Sequence, residues 1–104
     1  MTPYDLLVEP EVYDARKNLP NNMRQRIKRA IDDLSLNPRP AQSEVVDVSG
    51  LDVDSGVEVR RLKIMPWRVI YAVNDFLKWV WVLAVRRRPP YDYEDLSELV
   101  EKLK

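Results

Sequence analysis

Apolar positions along the chain change their spacing from one segment to the next, and the spacing predicts the elements. Tyr4–Val8 is a short, mostly apolar run and predicts a first strand. Pro10 closes it and suits the first turn of a helix, where its missing N–H has no partner to lose. Glu11–Asn18 is then a short helix, ended by Leu19 and Pro20. Asn21 or Asn22 is expected to cap a second helix by accepting an otherwise unpaired N–H. In that helix Met23, Ile27, Ile31 and Leu34 recur at helical spacing with Ala30 beside them, which makes one apolar stripe. Arg24, Arg26, Lys28 and Arg29 take the remaining surface, and Asn37-Pro38 ends the helix.

The period then shifts from helix to strand. Arg39–Gly56 is polar and acidic and predicts a connecting segment with a short strand at Val45–Val48. Val57–Ile64 alternates, with Val57, Val59 and Arg61 on one side and Glu58, Arg60 and Leu62 on the other, so neither face is cleanly apolar. Met65-Pro66 is a turn. Trp67–Val73 is the next strand, Asn74-Asp75 a hairpin turn, and Lys78–Val85 a further strand. The last is continuously apolar from Trp79 on, as expected where both faces of a sheet are covered. Trp79 and Trp81 share one face and suit sheet packing. Three strands joined by short turns form an antiparallel meander. Asp92–Leu103 closes the chain as a helix, with Leu96, Leu99, Val100 and Leu103 on one side. The expected architecture is α+β: one domain over residues 1–104, with two N-terminal helices and a C-terminal helix packed on an antiparallel, meander-rich sheet.

Composition narrows the chemistry. The 104 residues contain no cysteine and no histidine. Disulfides, thiolate metal sites and cysteine nucleophiles are therefore out of reach, as is the commonest general base. An active site here has to use Arg, Lys, Tyr or carboxylates, and no spacing suggests a metal or an organic cofactor. No apolar run approaches the ~20 residues of a membrane span, and the N-terminus has no basic-then-apolar leader, so a cytoplasmic location is expected. Lys and Arg total 17, as do Asp and Glu. The neutral sum hides a segregated distribution. Cations gather at Arg24–Arg29 and again from Arg60 to Arg88, while acids gather at Glu44–Glu58 and after Asp92. A basic face flanked by acidic segments is the local footprint of a polyanion partner.

The ordered motifs resemble the RelE/ParE toxins. Arg61-Leu62-Lys63-Ile64, the turn Met65-Pro66 and then Trp67-Arg68-Val69-Ile70-Tyr71 are similar to the family's paired basic strands. The apolar strand Val80–Val85 leads into Arg86-Arg87-Arg88 and then Tyr91 and Tyr93, again as in the family. The helix close Leu34-Ser35-Leu36-Asn37-Pro38 is similar to the family's "Leu, two residues, Asn-Pro" ending. Two features depart from it. Pro66 stands where a glycine-containing or acidic turn is usual, and the loop from Val46 to Gly56 is longer and more acidic.

The resemblance implies a toxin of a type II toxin–antitoxin system. For RelE-type members it implies a ribosome-dependent mRNA endoribonuclease. There a ribose 2′-OH attacks the adjacent phosphate and leaves a 2′,3′-cyclic phosphate and a 5′-hydroxyl. By motif position, Arg68 would stabilise the phosphorane. Arg61 and Lys63 would contact phosphate or help activate the 2′-OH. Arg87 or Arg88 would be a second clamp, and Tyr91 or Tyr93 would stack on a base or move a proton. The guanidinium fork matches phosphate oxygens in a bidentate way, and clustered cations lower the pKa of a neighbouring Lys or Tyr. Implied partners are a cognate antitoxin, the ribosome and mRNA, with DNA reached only through the antitoxin complex and no membrane. Two alternatives stand beside this one: a ParE-like inhibitor of DNA gyrase, which binds without nuclease chemistry, and a catalytically inactive interaction module.

Overall fold

The computed structural model describes residues 3–87 and 96–103. Five strands and three helices follow in the order β1 (Asp5–Val8), α1 (Pro10–Lys17), α2 (Asn21–Asp33), β2 (Ser43–Val45), β3 (Val57–Ile64), β4 (Trp67–Asn74), β5 (Trp79–Arg87) and α3 (Leu96–Glu101). The strands form one sheet in the order β1-β5-β4-β3-β2. β3, β4 and β5 pair antiparallel, as the meander predicted, and β2 adds antiparallel to β3. The sheet is nonetheless mixed, because β1 joins the far side of β5 in parallel. Everything between these two strands in sequence serves as their crossover, a pairing that local periodicity does not encode.

Both faces of the sheet are covered. On one, Val12 of α1 and Ile27 and Ile31 of α2 pack with Leu34 onto Leu62, Val69, Tyr71, Val73, Val80 and Val82. On the other, Leu99 and Val100 of α3 pack onto Val59, Ile70, Ala72, Leu83 and Ala84. Every residue of β4 but Trp67 is buried, which accounts for its near-continuous apolar character.

Local details differ from expectation for identifiable reasons. Pro10 does open α1, at its first turn. Helix α2 is not capped by an asparagine side chain; its N-cap is Pro20. Asn22 Oδ1 instead accepts from the Met23 N–H at 2.8 Å, from inside the first turn. The strand expected at Val45–Val48 lies at Ser43–Val45, because Val46 and Val48 turn with Leu51 and Val53 to cover the second cluster. The acidic loop is thus also a lid on the core. The β4–β5 connection is longer than two residues: Asn74 Oδ1 accepts from Leu77 N at 2.8 Å, and Lys78 takes a positive φ of 59° before β5 begins. Met65-Pro66 joins β3 to β4 through a cis peptide bond. Of the helix expected over Asp92–Leu103, the described part begins at Leu96.

Candidate functional site

Directly opposed residues on neighbouring strands point their side chains to the same face. Lys63 stands opposite Arg68, and Arg68 stands opposite Arg86, so three cations form a row across β3, β4 and β5. Arg61 lies two residues before Lys63 on the same face of β3, opposite Ile70. The row occupies the α3 side of the sheet, beyond the end of the second core cluster.

A β-bulge decides which arginine of β5 completes the row. The β4–β5 register slips between Ile70 and Tyr71, with Tyr71 opposite Val82 but Ile70 opposite Ala84. In an unbulged ladder Arg87 would share Arg68's face. The extra residue inverts the alternation beyond it, placing Arg86 beside Arg68 and Arg87 beside Trp67 on the helix side. The sequence pointed to Arg87 or Arg88; of the described residues, Arg86 stands beside Arg68 and Arg87 lies on the other face. Arg88, Tyr91 and Tyr93 lie outside the described residues.

Carboxylates hold both ends of the row. Glu44, opposite Arg61 on β2, pairs with Arg61 and also with Lys63 Nζ at 3.1 Å. The Arg61 hydrogen bond, and then that of Lys63, holds the Glu44 carboxyl below its ordinary pKa. At the other end Glu11 of α1 lies 3.7 Å from the Arg86 guanidinium and 3.0 Å from Lys102 Nζ. Neither acid was singled out in the sequence. Glu44 needed the β2–β3 register and Glu11 the placement of α1 beside β5.

The central cation differs from its neighbours. Arg68 is only 9% exposed. One terminal nitrogen donates to the Trp67 carbonyl at 3.1 Å and lies 3.4 Å from Met65 Sδ. Among the described residues no carboxylate pairs with it. A guanidinium carries five N–H donors in a fixed fork, and a buried charge without a counter-ion is costly. Such a group has N–H donors to offer an oxyanion. No cluster of acids able to hold a metal ion occurs among the described residues, and no described helix is long and apolar enough to cross a membrane.

The fold recurs in known proteins. The chain has 24% identity to the archaeal RelE–RelB complex from Pyrococcus horikoshii, with a TM-score of 0.71 over 88% of this chain and 100% of that one. A free double-arginine mutant of the Escherichia coli toxin RelE has 20% identity and a TM-score of 0.63, covering 98% and 99%. The toxin–antitoxin complex RelBE2 from Mycobacterium tuberculosis has 18% identity and a TM-score of 0.63, covering 83% and 99%. These likenesses establish a RelE-like fold. A search of curated proteins returns no match. Residues 7–89 match the model of the ParE toxin of type II toxin–antitoxin systems, and this chain therefore belongs to that toxin family, within the RelE/ParE superfamily.

Proposed function

We propose that this toxin is an endoribonuclease that cleaves mRNA on the ribosome, leaving 2′,3′-cyclic phosphate and 5′-hydroxyl ends. The observation that carries the proposal is the buried Arg68 guanidinium, without a carboxylate of its own and set between Lys63 and Arg86. In-line attack by a ribose 2′-OH accumulates negative charge on the phosphorane oxygens. A preorganised guanidinium aimed at that charge lowers the barrier without reorganising water. In this scheme Arg68 stabilises the phosphorane. Lys63 and Arg61 orient the phosphate and polarise the 2′-OH, and Arg86 clamps the far oxygen. Arg88 is a further phosphate clamp, and Tyr91 or Tyr93 supplies stacking or proton transfer. The site works without a cofactor and in the cytoplasm.

The partner in this scheme is a cognate antitoxin whose acidic segment covers Arg61, Lys63 and Arg68, and through which the pair reaches operator DNA. Two of the similar structures are complexes with antitoxins. Titrating antitoxin into Arg68→Ala plus Lys63→Ala tests that placement. The expected result is weaker, less salt-sensitive binding, and unchanged affinity at every salt concentration overturns it.

A second reading is favoured by Glu44. This one carboxylate engages both Arg61 and Lys63, which suits a toxin that binds a protein target such as DNA gyrase and has no nuclease chemistry. Incubating programmed ribosomes with wild type and Arg68→Ala separates the two. Ribosome-dependent cleavage with cyclic phosphate ends, lost in the mutant, supports the nuclease. Intact mRNA together with inhibited gyrase supercoiling supports the binder.

A further inference from the structure

On the opposite side of β3 from the cationic row, a groove of about 470 Å³ opens between α2 and the end of β3. Its floor is apolar, made by Ala30, Leu62 and Ile64. Arg26 and Arg29 of α2 line one wall, and Lys63 lines the edge that leads to Arg68. The ladder between β2 and β3 ends at the Ser43–Leu62 pair, with one further bond from Lys63 N to the Gln42 carbonyl, so the last turn of the groove opens past the sheet edge.

The arginines of this groove differ from the other cations of α2. Arg24 bonds Asn21 Oδ1 at 2.8 Å, and Lys28 pairs with Asp32 at 2.9 Å. Arg26 and Arg29 have no ion pair or side-chain hydrogen bond among the described residues. Asp33 lines the same groove but pairs with neither. Two uncommitted guanidiniums therefore share this groove with one carboxylate, while Lys63 borders it from β3 with its ammonium on the opposite face, paired to Glu44.

We infer that this groove is a second phosphate subsite, holding the backbone of the RNA strand as it leaves the Arg68 centre. The inference rests on the nuclease reading and extends it. Lys63 marks where the two meet: its position on β3 borders the groove, and its ammonium faces Arg68 and Glu44 on the other side. A strand whose scissile phosphate lies on Arg68 passes Lys63 and meets Arg29 and Arg26 next. Among the described residues no aromatic side chain lines the groove. The contact is therefore to the phosphate backbone, which carries no sequence information.

The probe is a short single-stranded RNA with 2′-O-methyl groups throughout, which no 2′-OH mechanism can cleave. Its binding to the isolated toxin is followed by fluorescence anisotropy across a salt series. Arg26→Glu plus Arg29→Glu is expected to weaken binding at least about tenfold and flatten the salt slope by about 1.4, the value for two lost phosphate contacts on a single strand. Arg26→Gln plus Arg29→Gln gives a smaller loss in the same direction and guards against misfolding by charge reversal. Arg24→Glu plus Lys28→Glu makes the same charge change on the same helix outside the groove and is expected to retain wild-type affinity. Equal losses in both reversal pairs indicate diffuse electrostatics and overturn the subsite. Wild-type RNA affinity in the groove variants, with binding lost in Arg68→Ala, overturns the subsite and leaves the nuclease intact. Groove variants that keep RNA but lose antitoxin assign the groove to a peptide and also overturn it. No RNA binding by wild type overturns the subsite, while the nuclease reading stands or falls on cleavage of mRNA on programmed ribosomes.

Discussion

Glu44 and Arg61 face each other across the β2–β3 ladder and share a charged hydrogen bond, so the candidate anion site holds an anion of its own. The same carboxylate takes Lys63. Any incoming phosphate must compete with it for two of the four cations on this face. Glu44→Gln keeps the shape and removes the charge. The expected result is tighter binding of the non-cleavable RNA and a salt slope steeper by about 0.7, one further phosphate contact on a single strand. Anisotropy measures both. Weaker binding by Glu44→Gln sinks the competition model and shows instead that Glu44 holds the cations in position. The depressed Glu44 pKa carries a second sign. Its contribution to stability is present above the ordinary glutamate value of about 4.3 and is lost as pH falls through the lower folded value.

Tyr71 connects the core to the loop behind α2. Its ring is fully buried, and its hydroxyl donates to the Pro38 carbonyl at 2.7 Å. Tyr71→Phe keeps the ring and leaves that carbonyl without its donor, a loss of about 1–2 kcal/mol readable by urea unfolding. Burial raises the Tyr71 pKa. The folded state therefore resists losing this proton, and the associated stability is present below about pH 10 and lost as pH rises through the folded value. The phenylalanine variant should lose this alkaline dependence. An unchanged alkaline limb would show that other groups set it.

Much of this architecture was legible because single faces are buried. Met23, Ile27, Ile31 and Leu34 form one stripe because α2 meets the sheet on one side. The run through β5 is apolar because helices α1 and α2 cover one face and α3 the other. The bounds of β3 follow from its alternation, and its mixed faces from a buried Arg60, which bonds Glu58 and Ser43 on the helix side. What the sequence hid are relations between distant segments. The parallel β1–β5 pair has no local signal. Val46, Val48, Leu51 and Val53 lie among acids, yet they cover the core. Arg61, Lys63 and Arg68 were singled out by motif resemblance, and alternation across one tight turn places them on one face. Glu44 and Arg86 were not, because each depends on the register of another strand.

The bulge yields a test of that last point. Arg86 shares Arg68's face, whereas Arg87 lies beside Trp67. If the row binds the reacting phosphate, Arg86→Ala should slow ribosome-dependent cleavage about a hundredfold, as loss of one charge-stabilising donor does. Arg87→Ala should change it by less than about threefold, a difference under roughly 1 kcal/mol. Single-turnover cleavage separates these effects from target binding. The reverse ranking would mean that the working register lacks the bulge.

Far from the cationic row, Asp75 ties together segments that are remote in sequence. It accepts from both terminal nitrogens of Arg39, at 3.1 and 2.8 Å, and from the Tyr4 hydroxyl at 2.6 Å. Arg39 also reaches Glu58 at 3.1 Å, and Glu58 in turn holds Arg60. The β4–β5 turn, the start of β1, the loop after α2 and β3 are thereby joined. The Arg39 bond, and then that of Tyr4, lowers the Asp75 pKa, while the carboxylate raises that of Arg39. Because the Asp75 value is depressed in the folded state, its stabilisation is complete above the ordinary aspartate value of about 3.9. It is lost as pH falls through the folded value. Asp75 is 54% exposed, so solvent screening limits the effect to about 0.5–1 kcal/mol. Asp75→Asn should lower the urea midpoint near neutrality by that amount and make the acid limb of stability against pH shallower below about pH 4. Tyr4→Phe should reproduce part of the loss at neutrality. If Asp75→Asn changes neither the midpoint nor the acid limb, the bidentate pair is a surface contact without energetic weight, and closure of the sheet rests on apolar packing alone.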